Sequence, residues 1–106
     1  MKSIHLIQYE SDSELRPKPI APDSQTYKSG YWSIPIELAN SLKGGNIYFH
    51  KKQKSPSFLG GLIKDCWIEQ YRRQDRVVFK FESSSTHEGI FPKNPDGWDR
   101  WMNVEE

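Results

Sequence analysis

The residues best suited to chemistry in this chain of 106 residues are three histidines (His5, His50, His87), a single cysteine (Cys66) and an unusual number of aromatic rings. Their spacing does not suggest catalysis. There is no His-Glu-x-x-His, no Cys-x-x-Cys and no phosphate loop, because Gly44-Gly45 is not followed by Lys and Ser or Thr. A zinc site needs about four nitrogen or sulfur ligands, more than this chain can readily gather. Neither a metal nor a cofactor is expected, and binding takes precedence over catalysis. The charge is more informative. Between Lys43 and Lys80 there are nine basic residues against three acids, a net +6 in a chain whose total is +1. A near-neutral protein that concentrates positive charge in one region is expected to meet a polyanion or an acidic surface, with DNA or RNA first.

Flat aromatic rings and hydrogen-bonding groups lie within or just before that region. Tyr31 and Trp32 are adjacent, and a base stacked on either ring gains roughly 1–3 kcal/mol; Trp32 is the ring expected to contact the ligand, with Tyr31 beside it expected to be mainly structural. His50 ends an aromatic segment beside Lys51 and Lys52, where imidazole can meet a base edge or a phosphate. Lys51, Lys52 and Lys54 are the candidate phosphate contacts of one loop, with Ser57 as a hydroxyl donor. Gly60 and Gly61 leave room for a ligand close to the backbone. Arg72 and Arg73 form a second basic cluster. A straight strand over residues 60–71 is roughly 40 Å long, so the two clusters lie at its opposite ends and cannot serve one compact site.

The elements that must position these groups follow from pattern. Residues 4–9 have high strand propensity. Residues 11–29, with three prolines and no apolar period, predict an extended loop or arm. Residues 34–43 repeat Ile34, Leu38 and Leu42 at helical spacing, with Ser33 a nearby cap and Pro35 in the first turn. Segments 46–50, 60–71 and 76–82 read as strands joined into a meander, with 72–76 as a hairpin connection. In the second of these, Leu62, Lys64, Cys66 and Ile68 share one face. In the third, Val77, Phe79 and Phe81 point inward. The tail 97–106 is expected to dock Trp98, Trp101 and Met102 on the sheet. The expected product is one α+β domain over 1–106, a small, curved, mostly antiparallel sheet or pseudo-barrel with one or two short helices. One cysteine excludes an internal disulfide, and no segment approaches the roughly 20 apolar residues of a membrane span. Cytoplasmic residence and no membrane partner are the expectations.

The run from Tyr31 to Ile63 resembles the core of PUA-like domains, in particular the EVE and ASCH branch. Trp32 stands at the family tryptophan and Ala39 at a helix alanine. Gly45-Asn46 takes the place of a Gly-Asp turn. Tyr48-Phe49-His50 corresponds to an aromatic strand and Leu59-Gly60-Gly61-Leu62-Ile63 to a glycine-containing strand. Asn46 in place of the acid and Lys51 in place of a serine depart from the family pattern. The resemblance covers about a third of the chain. It implies nucleic-acid binding, with an extruded or modified base in an aromatic-walled pocket of which Trp32 and His50 would be the walls. Two other classes stand beside it. One is a protein-binding or inhibitor module, with Trp98 and Trp101 as anchors. The other is a small amidohydrolase of the ASCH kind, for which Thr26, Lys64 and Glu82 are the residues to name.

Overall fold

A computed structural model describes residues 2–8 and 16–106. Its strands are β1 (Ser3–Ile7), β2 (Lys18–Pro19), β3 (Thr26–Trp32), β4 (Asn46–His50), β5 (Ser57–Tyr71), β6 (Gln74–Ser83) and β7 (Met102–Glu105). One short helix, α1 (Ile36–Ser41), lies between β3 and β4, and a 3₁₀ turn (Ser85–His87) follows β6. The seven strands form one sheet in the order β2-β3-β6-β5-β4-β1-β7. All neighbours are antiparallel except β1 and β4, which run parallel. The protein is therefore a small, sheet-rich α+β fold.

Alternation sets the core. Ile47 and Phe49 on β4, and Val77, Phe79 and Phe81 on β6, point to one side and are essentially fully buried. Ile4 and Leu6 of β1 join them, as do Ile34, Ala39 and Leu42 from α1 and its flanks. Burying each large apolar side chain favours folding by about 1.5–3 kcal/mol. The sheet also curls. Trp32, near one edge, meets Trp101, just before the strand at the other edge, with ring centroids 5.5 Å apart.

Several elements differ from expectation. The loop expected over 11–29 contains β2 and most of β3. Strand β3 carries few apolar residues, and its register breaks between Ser29 and Trp32, so no alternation was visible. It is held by Tyr27 stacked on Phe81 at 5.6 Å and by pairing with β6. Residues 9–15, which hold the end of the first expected strand and the start of that loop, lie outside the described residues. The helix is shorter than expected, and its cap position is Pro35, without a side-chain cap bond. In β5 the register shifts between Ile63 and Asp65. This bulge puts Ile63 and Cys66 on the same buried side and leaves Leu62 exposed, so the expected Leu62–Lys64–Cys66 face does not form. The meander of β4, β5 and β6 does form as expected, and the β5–β6 connection is a two-residue turn at Arg72-Arg73.

Candidate nucleic-acid interface

The face of β2, β3, β6 and β5 that points away from the core interleaves cations with aromatic rings. Lys18, Lys28 and Lys80 stand in cross-strand register on three neighbouring strands. Lys28 lies over the Trp67 ring, 5.6 Å from its centroid, and pairs with Glu69 at 3.3 Å. The Trp67 indole N–H donates to Glu69, and that bond, with Lys28 behind it, holds the carboxyl below the usual range. Tyr31 and Tyr71 stack at 4.6 Å with rings nearly parallel, and the Arg72 guanidinium lies 5.1 Å from the Tyr71 ring. Arg76, opposite Glu69 in register, is on the same face.

Tyr31 lines a hollow of about 320 Å³ floored by Gly30 and Val78 and rimmed by Arg16, Lys18 and Lys28. A second hollow, of about 260 Å³, lies between Arg16, Lys51, Gln8 and Phe58. Arg16 borders both, so the lysine loop after β4 and the Tyr31 hollow are neighbours on the surface. The largest described hollow, about 790 Å³, is elsewhere, between Tyr27, Leu59, Leu62 and the loop 83–88. Glu82 and Glu88 border it, so its potential disfavours phosphate.

The residues singled out in the sequence divide into two groups. Tyr31, Arg72 and Arg73 lie at or beside the basic face, and Lys51, Lys52 and Lys54 are exposed on the loop after β4. The others are internal. Trp32 is 9% exposed, its indole N–H donates to Ser29 Oγ at 3.0 Å, and its ring packs between Phe49 and Trp101. It is a core residue, not a pocket wall. His50 has no exposed surface, so it lines no open pocket either. Gly60 and Gly61 do not make room for a ligand. A Cβ on Gly61 would fall 1.9 Å from Glu82 O, and one on Gly60 would fall 2.4 Å from Ile47 O and 2.8 Å from His87 Cβ. That space is filled by neighbouring chain. Ser57 Oγ donates to His87 O at 2.6 Å and accepts from the Ile90 N–H at 3.0 Å, so it fastens the loop after β6. Trp98 and Trp101, the expected anchors, both pack intramolecularly, Trp98 edge-on to His50 at 5.4 Å.

Sequence reasoning missed Arg16, Lys18, Lys28, Trp67 and Tyr71 as one surface. The signal available was the Arg-Pro-Lys-Pro and Tyr-Lys pattern before Trp32, which has meaning only once β2 and β3 are paired.

A polar cluster occupies the outward side of β4, β1 and β7. His50 Nδ1–H donates to Ser55 O at 2.9 Å, His50 Nε2 and His5 Nδ1 are 2.8 Å apart, and His5 Nε2 is 2.9 Å from Glu105 Oε1. Tyr48 stacks on His5 at 4.5 Å, and His87 stacks on Tyr48 at 5.1 Å, so all three histidines converge. Burial lowers His5 to about 4 against the pull of Glu105, and burial also lowers His50 and His87. Among the described residues no group of three or more His, Cys, Asp or Glu is arranged to hold a metal ion, and no helix is long and apolar enough to cross a membrane.

Comparison with protein-family models, with curated proteins and with solved structures returns no match.

Proposed function

We propose that this chain is a PUA-like domain that binds nucleic acid across the outer face of β2, β3, β6 and β5. The observation that carries the reading is the interleaving on that face of Lys18, Lys28, Lys80 and Arg72 with Tyr31, Trp67 and Tyr71. Phosphates supply most of the binding energy through counterion release, and aromatic faces accept bases with little sequence preference. Tyr31 offers its ring to a base in the 320 Å³ hollow, a size suited to one small planar group. Arg16, Lys18 and Lys28 hold the flanking phosphates. Lys51, Lys52 and Lys54 extend the track past Arg16 toward the loop after β4. The aromatic wall moves from Trp32 to its neighbour Tyr31.

The test is binding of fluorescent DNA and RNA oligonucleotides over a salt series. The logarithm of affinity should fall linearly with the logarithm of salt, with a slope of about −0.7 per phosphate contact for single strands. Lys18→Ala and Lys28→Ala should each reduce that slope by about one contact. No binding at low salt, or a flat salt response, would remove the reading.

A second reading has one observation in its favour. Thr26 and Glu82 face each other across β3 and β6, and Lys64 Nζ lies 3.6 Å from Oε2 of Glu82, which borders the 790 Å³ hollow. Threonine, lysine and glutamate are the set named for an ASCH-like amidohydrolase. Incubation with a panel of small amides tests it. Turnover abolished by Thr26→Val supports it, and absence of turnover by the unaltered protein removes it.

A further inference from the structure

The buried histidine pair has a hydrogen inventory that can be counted. Four contacts run in a line from the lysine loop to the loop before β7. They are Ser55 O with His50 Nδ1, His50 Nε2 with His5 Nδ1, His5 Nε2 with Glu105 Oε1, and Glu105 Oε2 with the Asn94 N–H. The backbone N–H of Asn94 fills the last. A carbonyl only accepts, so His50 carries its hydrogen on Nδ1 and leaves Nε2 as an acceptor. His5 must then donate from Nδ1, which leaves its Nε2 lone pair facing a carboxylate oxygen. Two neutral rings thus supply two hydrogens to three contacts. The line is one hydrogen short.

We propose that His50, His5 and Glu105 form a single interior proton-binding site that accepts one proton with every contact intact and is forced apart by a second. The first proton enters between His5 Nε2 and Glu105 Oε1 and completes the line. A second proton has no acceptor left. On His50 Nε2 it sets N–H against the His5 Nδ1–H across 2.8 Å, and on Glu105 Oε2 it meets the Asn94 N–H. The two rings are closed to water, since His5 is 1% exposed and His50 fully buried, so solvent cannot take over the broken contact between them without the packing opening, whereas Glu105 at the outer end is part-exposed. Among the described residues, the titratable groups against the pair are Glu105 on β7, Tyr48 of β4 stacked on His5, and His87 behind Tyr48. Asn103, opposite His5 in register, and Trp98, edge-on to both rings, carry no charge. Ser55 O belongs to the loop that carries Lys51, Lys52 and Lys54. Displacing the His50 ring from His5 therefore shifts the ring nitrogen that holds Ser55 O and disturbs the seating of that basic loop, whether or not the loop meets nucleic acid.

The full chain, labelled with nitrogen-15 on its imidazoles, tests this by NMR titration. His50 should be the Nδ1–H tautomer at neutral pH. In the first step the His5 and His50 signals should move with one shared midpoint while the Ser55 amide stays fixed. In the second the pair and the Ser55 amide should change together. Glu105→Gln supplies an amide N–H to His5 Nε2 and so provides the missing hydrogen without a proton. In that variant the shared first step should drop by about one pH unit or more, or vanish, leaving the disruptive step. Two rings that titrate independently near 6.5, a His50 tautomer protonated on Nε2, or a first step unchanged in Glu105→Gln would each overturn the proposal.

Discussion

At the scale of single residues, two adjacent rings have different roles. Trp32 is enclosed by Phe49 and Trp101, whereas Tyr31 borders an open hollow beside three cations. Trp32→Ala should cost about 3–5 kcal/mol of stability, since a large buried ring leaves a cavity that the sheet cannot close. Tyr31→Ala should lose only about 0.5–1.5 kcal/mol, the value of its stack on Tyr71, yet weaken oligonucleotide binding by about 1–3 kcal/mol. Urea denaturation and binding isotherms on both variants separate the effects, and the reverse pattern would put the site back at Trp32. The histidines give a pH prediction at the same scale. Burial depresses all three, so the unfolded chain, with ordinary values near 6.5, binds more protons than the folded one below that pH. Stability is therefore complete above about 6.5 and declines as pH falls toward 4. His5 alone accounts for on the order of 3 kcal/mol across that window. Urea midpoints that stay level from pH 7 to pH 4.5 would show that the rings keep their ordinary values.

At the scale of elements, the β5–β6 hairpin shows a local conflict. Arg72 and Arg73 both adopt the left-handed conformation, with φ of 52° and 66°, in a two-residue turn closed by Tyr71 and Gln74. That turn type prefers Asn-Gly, and branched or long side chains pay about 1 kcal/mol per residue in this region. Replacing Arg72-Arg73 with Asn-Gly should raise stability by about 1 kcal/mol or more, read from the denaturation midpoint. It should also weaken oligonucleotide binding and flatten its salt dependence. Greater stability with unchanged binding would exclude the turn from the interface. Strand β5 holds a related lesson. Its bulge at Lys64 rotates one half of the strand against the other. Ile63 thus faces the core, while Trp67 and Glu69 further along join the basic face.

At the scale of the molecule, the sheet bends until its second strand touches the residue before its last. Trp32 lies on β3 and Trp101 immediately precedes β7, strands far apart in the sheet order, so their contact reports the curl directly. A double-mutant cycle on Trp32→Phe and Trp101→Phe should give a coupling of about 0.5–1.5 kcal/mol. Additive effects would mean that the two ends of the sheet are not joined in solution. The same curvature leaves the acid-rimmed hollow apart from the lysine row, and the row itself crosses three strands. The basic surface is therefore a property of the assembled sheet and not of any one segment.

What the sequence determined by itself is local. The alternation in residues 46–50 and 76–82, the apolar period around Leu38 and Leu42 and the arginine turn are short-range patterns, and each has the element it implies. The charge concentration between Lys43 and Lys80 was legible too, and so was its division between the two ends of β5. Tertiary structure decided which aromatic ring is sealed and which is open, because Tyr31 and Trp32 are equivalent in composition and are told apart only by the face each presents. It also decided the pairing of β3, whose weak pattern is stabilised by Phe81 and Phe79 more than 45 positions away. The meeting of His5, His50 and Glu105 was likewise beyond reading. Two of these residues come from strands paired in parallel and the third from the last strand, and only the assembled sheet brings them within hydrogen-bond distance.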